Sequence, residues 1–128
     1  MNDPGYRLLR SAPAPAPAPR LDDAQRGVVD HTGGPLLVLA GPGTGKTTTL
    51  VEAAVARVAR GVPVEQLLMV TFSRRAAAEL RDRVAARLDR TIREPVARTL
   101  HSYAFGVLRM AAQRRGEPTP RLLAAAEP

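Results

Sequence analysis

The segment Leu36-Leu37-Val38-Leu39-Ala40-Gly41-Pro42-Gly43-Thr44-Gly45-Lys46-Thr47-Thr48-Thr49-Leu50 constrains this chain more than any other. An apolar run ends in a glycine-rich turn, then Lys-Thr, then a helical pattern. Glycines let the backbone curl so that successive N–H groups point into one concavity suited to phosphate oxygens. A helix that starts there adds the positive end of its dipole. Lys46, the only lysine beside eighteen arginines, places an ammonium on the terminal phosphates, and Thr47 offers a hydroxyl to Mg²⁺. The strict pattern asks for glycine where Ala40 stands; Gly41, Gly43 and Gly45 still supply the turn. A bare Gly-Lys-Thr also occurs in ordinary turns, and the preceding strand and following helix make the reading specific. Ala40, Gly41, Pro42, Gly43, Thr44, Gly45, Lys46, Thr47 and Thr48 are therefore the candidate phosphate cradle, with Lys46 and Thr47 nearest the chemistry.

The rest of the chain supplies a fold around that cradle. Ala12 to Pro19 alternates alanine and proline, which forbids helix and sheet ladders and predicts an extended, disordered leader over residues 1–20. Asp22 and Asp23 mark a helix start, and Gly33-Gly34-Pro35 its end. Leu36 to Ala40 reads as a strand buried on both faces of a parallel sheet. A helix from the cradle to about Arg60 puts Leu50, Ala54 and Val58 on one face, and Gly61 stops it. Leu67 to Phe72 is a second buried strand. Ser73 caps a helix whose stripe Ala77, Leu80, Val84 and Leu88 faces inward, while Arg81, Arg83 and Arg87 lie on a solvated face. A short strand near Val96 to Leu100 precedes a helix from His101 to about Arg114 that buries Ala104, Val107, Leu108 and Ala111. This alternation predicts an α/β, doubly wound fold with a parallel sheet flanked by helices over residues 21–115, followed by a proline-containing tail at 116–128.

Composition sets limits on function. The 128 residues fit one small domain at most, and with 45% apolar but 3% aromatic residues, alanine and leucine must do most of the packing. No run approaches the roughly 20 apolar residues of a membrane span, and the N-terminus lacks the apolar core of a secretory signal. The absence of cysteine excludes disulfides and thiolate metal sites and fits the cytoplasm. His31 and His101 have no partner at ligand spacing, so a zinc-type site is not expected. A net charge of +7 favours a polyanionic partner.

Three further segments narrow the reading. Leu21-Asp22-Asp23-Ala24-Gln25-Arg26 precedes the cradle. Val70-Thr71-Phe72-Ser73-Arg74-Arg75-Ala76-Ala77-Ala78-Glu79-Leu80-Arg81 follows it, then Ala97-Arg98-Thr99-Leu100-His101-Ser102-Tyr103-Ala104. In this order they resemble the glutamine motif, motif I, motif Ia and the following Thr-Phe-His-Ser element of the UvrD/Rep-like superfamily 1 DNA helicases, over about Leu21 to Arg114. The resemblance implies a P-loop NTPase (RecA-like) sheet, incomplete here, with ATP and Mg²⁺ as cofactors and single-stranded or duplex DNA as partner. It implies ATP-driven unwinding in DNA repair or recombination by a full-length enzyme, with a partner subunit where that enzyme works in a helicase–nuclease complex. It assigns Gln25 to the adenine edge, which a carboxamide suits as both donor and acceptor. Phe72, Arg74, Thr99 and His101 fall on the DNA side. Leu100 stands where the family carries phenylalanine, so base stacking is not expected there.

No segment after Arg114 ends in a paired Asp-Glu, so the carboxylate that holds Mg²⁺ and positions water in this class is missing, as are the arginine fingers. The expectation is an N-terminal helicase segment that is inactive as a motor alone. A small independent P-loop NTPase, or a basic nucleic-acid-binding module with a vestigial P-loop, are the other readings.

Overall fold

The first helix, α1 (Asp23–Asp30), starts as its sequence predicts: the Asp22 side chain accepts from the Gln25 N–H at 2.8 Å, and Gln25 Oε1 accepts from the Asp22 N–H at 3.0 Å. This reciprocal pair satisfies two donors that a helix start leaves open. The computed structural model describes residues 14–90, 92 and 95–123. The expectations for residues 1–13 of the leader and 124–128 of the tail lie outside them.

The remaining helices are α2 (Lys46–Ala59), α3 (Arg74–Leu88) and α4 (Leu100–Arg115), and the strands are β1 (Met69–Thr71) and β2 (Ala97–Thr99). Ser73 caps α3 by accepting from the Ala76 N–H, and Thr99 caps α4 by accepting from the Ser102 N–H. Gly61, at φ +97°, turns the chain out of α2, a conformation that a Cβ would strain. A short 3₁₀ turn, Val64–Gln66, leads into β1. The two strands are parallel, with Met69 opposite Ala97 and Thr71 opposite Thr99. The chain is thus α/β, with four α-helices and a two-stranded parallel sheet among the described residues.

Helix α3 is central: it packs on α2 and on both strands. The stripe of Ala77, Leu80 and Val84 is buried as its spacing predicts, and with Val51, Ala54, Val64, Val96 and Ala97 it makes the core. Valine and alanine, with Leu80, fill this core, so valine rather than leucine shares the packing expected of alanine and leucine; Leu36, Leu37, Leu39, Leu50 and Leu108 are exposed.

Several expectations are corrected. Residues 36–40 form no strand; Leu37 and Leu39 are 82% and 87% exposed. A buried parallel strand needs ladder partners, and among the described residues none lies beside this segment. Apolar composition draws a strand to a sheet but does not supply its hydrogen bonds. The expected strand from Leu67 to Phe72 is regular only over Met69–Thr71, and Leu68, Val70 and Phe72 are exposed. In α2 the buried face is Val51 and Ala54, whereas Leu50 is exposed. Helix α4 buries only Ala112; Val107 and Leu108 are exposed and Ala104 faces solvent. It packs chiefly on the two short strands, which cannot cover its apolar face.

The arginines of α3 are not a solvated face. Arg81 donates to the Ala97 carbonyl at 3.0 Å, Arg83 to Thr48 Oγ1 at 2.8 Å, and Arg87 forms a two-bonded ion pair with Glu52. Each flanks the apolar stripe, close enough to bury its stem and reach across to the next element. The leader takes part as well. Residues 14–20 have no regular structure, yet Ala16 donates its N–H to the Ala86 carbonyl and accepts from Arg87 through its own carbonyl, both at 3.0 Å.

Candidate functional site

Among the four described α-helices, α2 alone starts without a side-chain cap. Its N-cap is Gly45 at φ +79°, and its first backbone bond runs from the Thr49 N–H to the Gly45 carbonyl. The N–H groups of Lys46, Thr47 and Thr48 are therefore left without an intrahelical acceptor, which is what an anion at a helix start uses. Gly43 is also left-handed, at φ +73°. Between these glycines Thr44 Oγ1 donates back to the Gly41 carbonyl at 2.7 Å and sets the curl. Lys46 is exposed at the first helical position and forms no ion pair or hydrogen bond among the described residues. Thr47 and Thr48 are half-buried beside it.

Gly45 is required twice over. Besides its positive φ, a Cβ there would come within 2.6 Å of Gln25 Nε2. The Gly45 carbonyl accepts from the Thr49 N–H, from Thr49 Oγ1 at 2.9 Å and, more weakly, from Gln25 Nε2 at 3.4 Å. Gln25 thus touches the glycine-rich turn directly while it caps α1. Its carboxamide has two N–H groups and two lone pairs, so one donor and one acceptor remain for a ligand. A cleft of about 430 Å³ opens between these elements, lined by Gln25, Val28, Leu39, Ala40, Thr44 and Lys46 among others. That volume suits a nucleotide-sized ligand.

The donor set fits a magnesium–triphosphate. The uncapped N–H groups and the exposed Lys46 ammonium are donors of the kind that phosphate oxygens would accept from. Among the described residues no cluster of three His, Asp or Glu side chains could hold a metal. The Thr47 hydroxyl expected to serve magnesium is half-buried in the first turn of α2 and is not among the residues that line the cleft. An ion that takes most of its oxygens from phosphate and water would need few protein ligands.

The other candidates lie at one edge of the sheet. Thr71 and Thr99 are in register at the carboxyl ends of β1 and β2, the end at which parallel sheets bind ligands. Phe72 follows at 86% exposure, so it is not a core residue, and Arg74 is exposed at the first position of α3. His101 is exposed in the first turn of α4, whereas the Thr99 hydroxyl is occupied as the α4 cap.

A family model described as the UvrD/REP helicase N-terminal domain matches residues 21–127. The chain belongs to the UvrD/REP helicase N-terminal family. This UvrD/REP domain is 43% identical over 105 residues to ATP-dependent DNA helicase UvrD1 of Mycobacterium tuberculosis, covering 78% of this chain and 14% of the relative. It is 44% identical over 95 residues to ATP-dependent DNA helicase UvrD2 of the same organism, covering 70% and 14%. Against an ATP-dependent helicase/nuclease subunit of Latilactobacillus sakei it is 41% identical over 70 residues, covering 55% and 8%. The chain spans about one seventh of the length of its UvrD1 and UvrD2 relatives. Within this domain the contacts that sequence reasoning missed join α2 to α3. Their one readable signal is Glu52, the only acidic residue between Asp30 and Glu65; an acid inside an apolar helix face calls for a cation partner.

Proposed function

We propose that the chain is the ATP-binding segment of a UvrD-type DNA helicase, holding Mg-ATP between Gly41 and Thr48 with Gln25 at the base. The observation that carries this reading is the uncapped start of α2 behind two left-handed glycines, with Lys46 exposed over it. Bound magnesium would supply charge neutralisation between the phosphates. Lys46 and the N–H groups of Lys46, Thr47 and Thr48 orient the phosphates, and Gln25 offers its remaining donor and acceptor to adenine. Phe72, Arg74 and His101 form the DNA-facing edge, where an exposed aromatic stacks bases without regard to sequence. The net charge of +7 supports such a polyanionic partner. In a longer enzyme this segment would contribute to ATP-driven unwinding, with a partner subunit where that enzyme belongs to a helicase–nuclease complex. No helix among the described residues is long and apolar enough to cross a membrane, and a cytoplasmic enzyme is the setting this reading assumes.

Turnover belongs to more than these 128 residues. They contain no Asp-Glu pair, and an arginine finger alone contributes about 10³–10⁵ in rate to phosphoryl transfer. The purified chain should therefore bind Mg-ATP and show hydrolysis at background, with or without single-stranded DNA. A steady-state assay of phosphate release checks this. DNA-stimulated hydrolysis that disappears in Lys46→Ala would mean that the chain is a compact independent NTPase.

A further inference from the structure

Helices α2 and α3 are joined by two rungs in matching register. Thr48 and Glu52 lie one turn apart on α2; Arg83 and Arg87 lie one turn apart on α3 and meet them in the same order. The lower rung is the rigid one. Arg87 Nε and Nη2 hold the two Glu52 oxygens at 2.7 and 3.0 Å, with side chains only 18% and 10% exposed, and the third arm reaches the Ala16 carbonyl. Two parallel bonds in this planar geometry leave little freedom to slide or rotate. The upper rung is carried to the first turn of α2. There Arg83 Nη2 donates to Thr48 Oγ1 at 2.8 Å while Nη1 lies 3.5 Å from Glu79.

The two threonines that follow Thr47 are used differently. Thr49 folds its hydroxyl back onto the Gly45 carbonyl at 2.9 Å, the ordinary behaviour of threonine in a helix. Thr48 is instead held from outside by a charged donor, at the third helical position, where its own N–H is one of the open phosphate donors. Neither Arg83 nor Thr48 belongs to the apolar cluster beneath, where Leu80 and Val84 are buried. From the nucleotide reading above, on which this inference rests, we propose that Arg83 is a positioning residue for the phosphate site. By holding Thr48 it fixes the first turn of α2 against α3, so that the N–H groups of residues 46–48 converge on one point before any ligand arrives. Preorganised donors bind more tightly because ordering them costs nothing at the moment of binding.

The test is Mg-ATP affinity by calorimetry, with thermal melting in parallel, on the full chain. Arg83→Met keeps the stem and removes the donors; Thr48→Val keeps the shape and removes the acceptor. Each should weaken Mg-ATP binding by about tenfold, the upper end of what one ordinary intramolecular hydrogen bond contributes, and the double variant should be no weaker than either alone. Inorganic tripolyphosphate should show the same loss, because the effect is on phosphate and not on base. Arg83→Lys, which retains a charged donor, should recover most of the affinity. Arg81→Met, which removes the bond to the Ala97 carbonyl, should lower the melting temperature and leave affinity at the wild-type value. If Lys46→Ala abolishes binding while Arg83→Met and Thr48→Val bind as wild type, Arg83 has no positioning role and the nucleotide reading stands. If Lys46→Ala itself binds normally, the nucleotide reading fails first. Should Arg83→Met unfold, Thr48→Val decides alone: wild-type affinity there overturns the inference.

Discussion

Lys46→Ala should lose at least about a hundredfold in Mg-ATP affinity, since hydrogen bonds to charged groups are worth about 1.5–3 kcal/mol each. The melting temperature should hardly change. Lys46 is exposed and forms no hydrogen bond or ion pair among the described residues, so its removal strips nothing from the core. Truncation also leaves α2 intact, because alanine is the best helix former and sits at a position whose N–H has no intrahelical partner. Calorimetric titration with Mg-ATP, and circular dichroism on the same samples, separates a binding defect from a folding one. Unchanged affinity in the folded variant would remove the P-loop assignment.

The second large effect is on stability. Arg87→Leu should destabilise the chain by about 3 kcal/mol, because it leaves the Glu52 carboxylate buried without its partner. For a domain of this size that is a fall of roughly 12–24 °C in melting temperature. The guanidinium is already held above its ordinary pKa by the hydrogen bond to Glu52, which outweighs the opposing effect of burial. Its contribution is therefore fully present throughout the working range and would be lost only as pH rises through that raised value. The double variant Glu52→Leu/Arg87→Leu should recover most of the loss, since two apolar side chains need no partners. Thermal melting of the two variants checks both halves; a double variant no better than the single would mean that packing around Ala16 and Ala86, rather than the charge, is what Arg87 supplies.

What can be read from the sequence follows from which interactions are local. The caps at Asp22 and Ser73, the stop at Gly61 and the stripe of α3 are decided within a few residues, and the structure has all of them. The strand expected at residues 36–40 depends on partners far along a chain, and its apolar pattern carries no information on whether they are present. The same holds for α4, whose apolar side is written clearly but finds only two short strands to cover it. The arginines of α3 mislead for a related reason. A charge beside an apolar stripe looks the same in sequence whether it meets water or the next helix, and only Glu52 on α2 hints at the second case. Within the site, glycine spacing is enough to give the turn, but the capture of the Gly45 carbonyl by Gln25 requires the packing of α1 on α2.

The central claim is that the start of α2 is a phosphate site. Titration of ¹⁵N-labelled chain with Mg-ATP, followed through its amide resonances, tests it most directly. The largest shifts should fall on the amides of Gly43, Gly45, Lys46, Thr47 and Thr48, with the Gln25 side-chain amide moving in step. Saturable binding that leaves those amides in place and shifts others, or no binding at millimolar Mg-ATP, would contradict it.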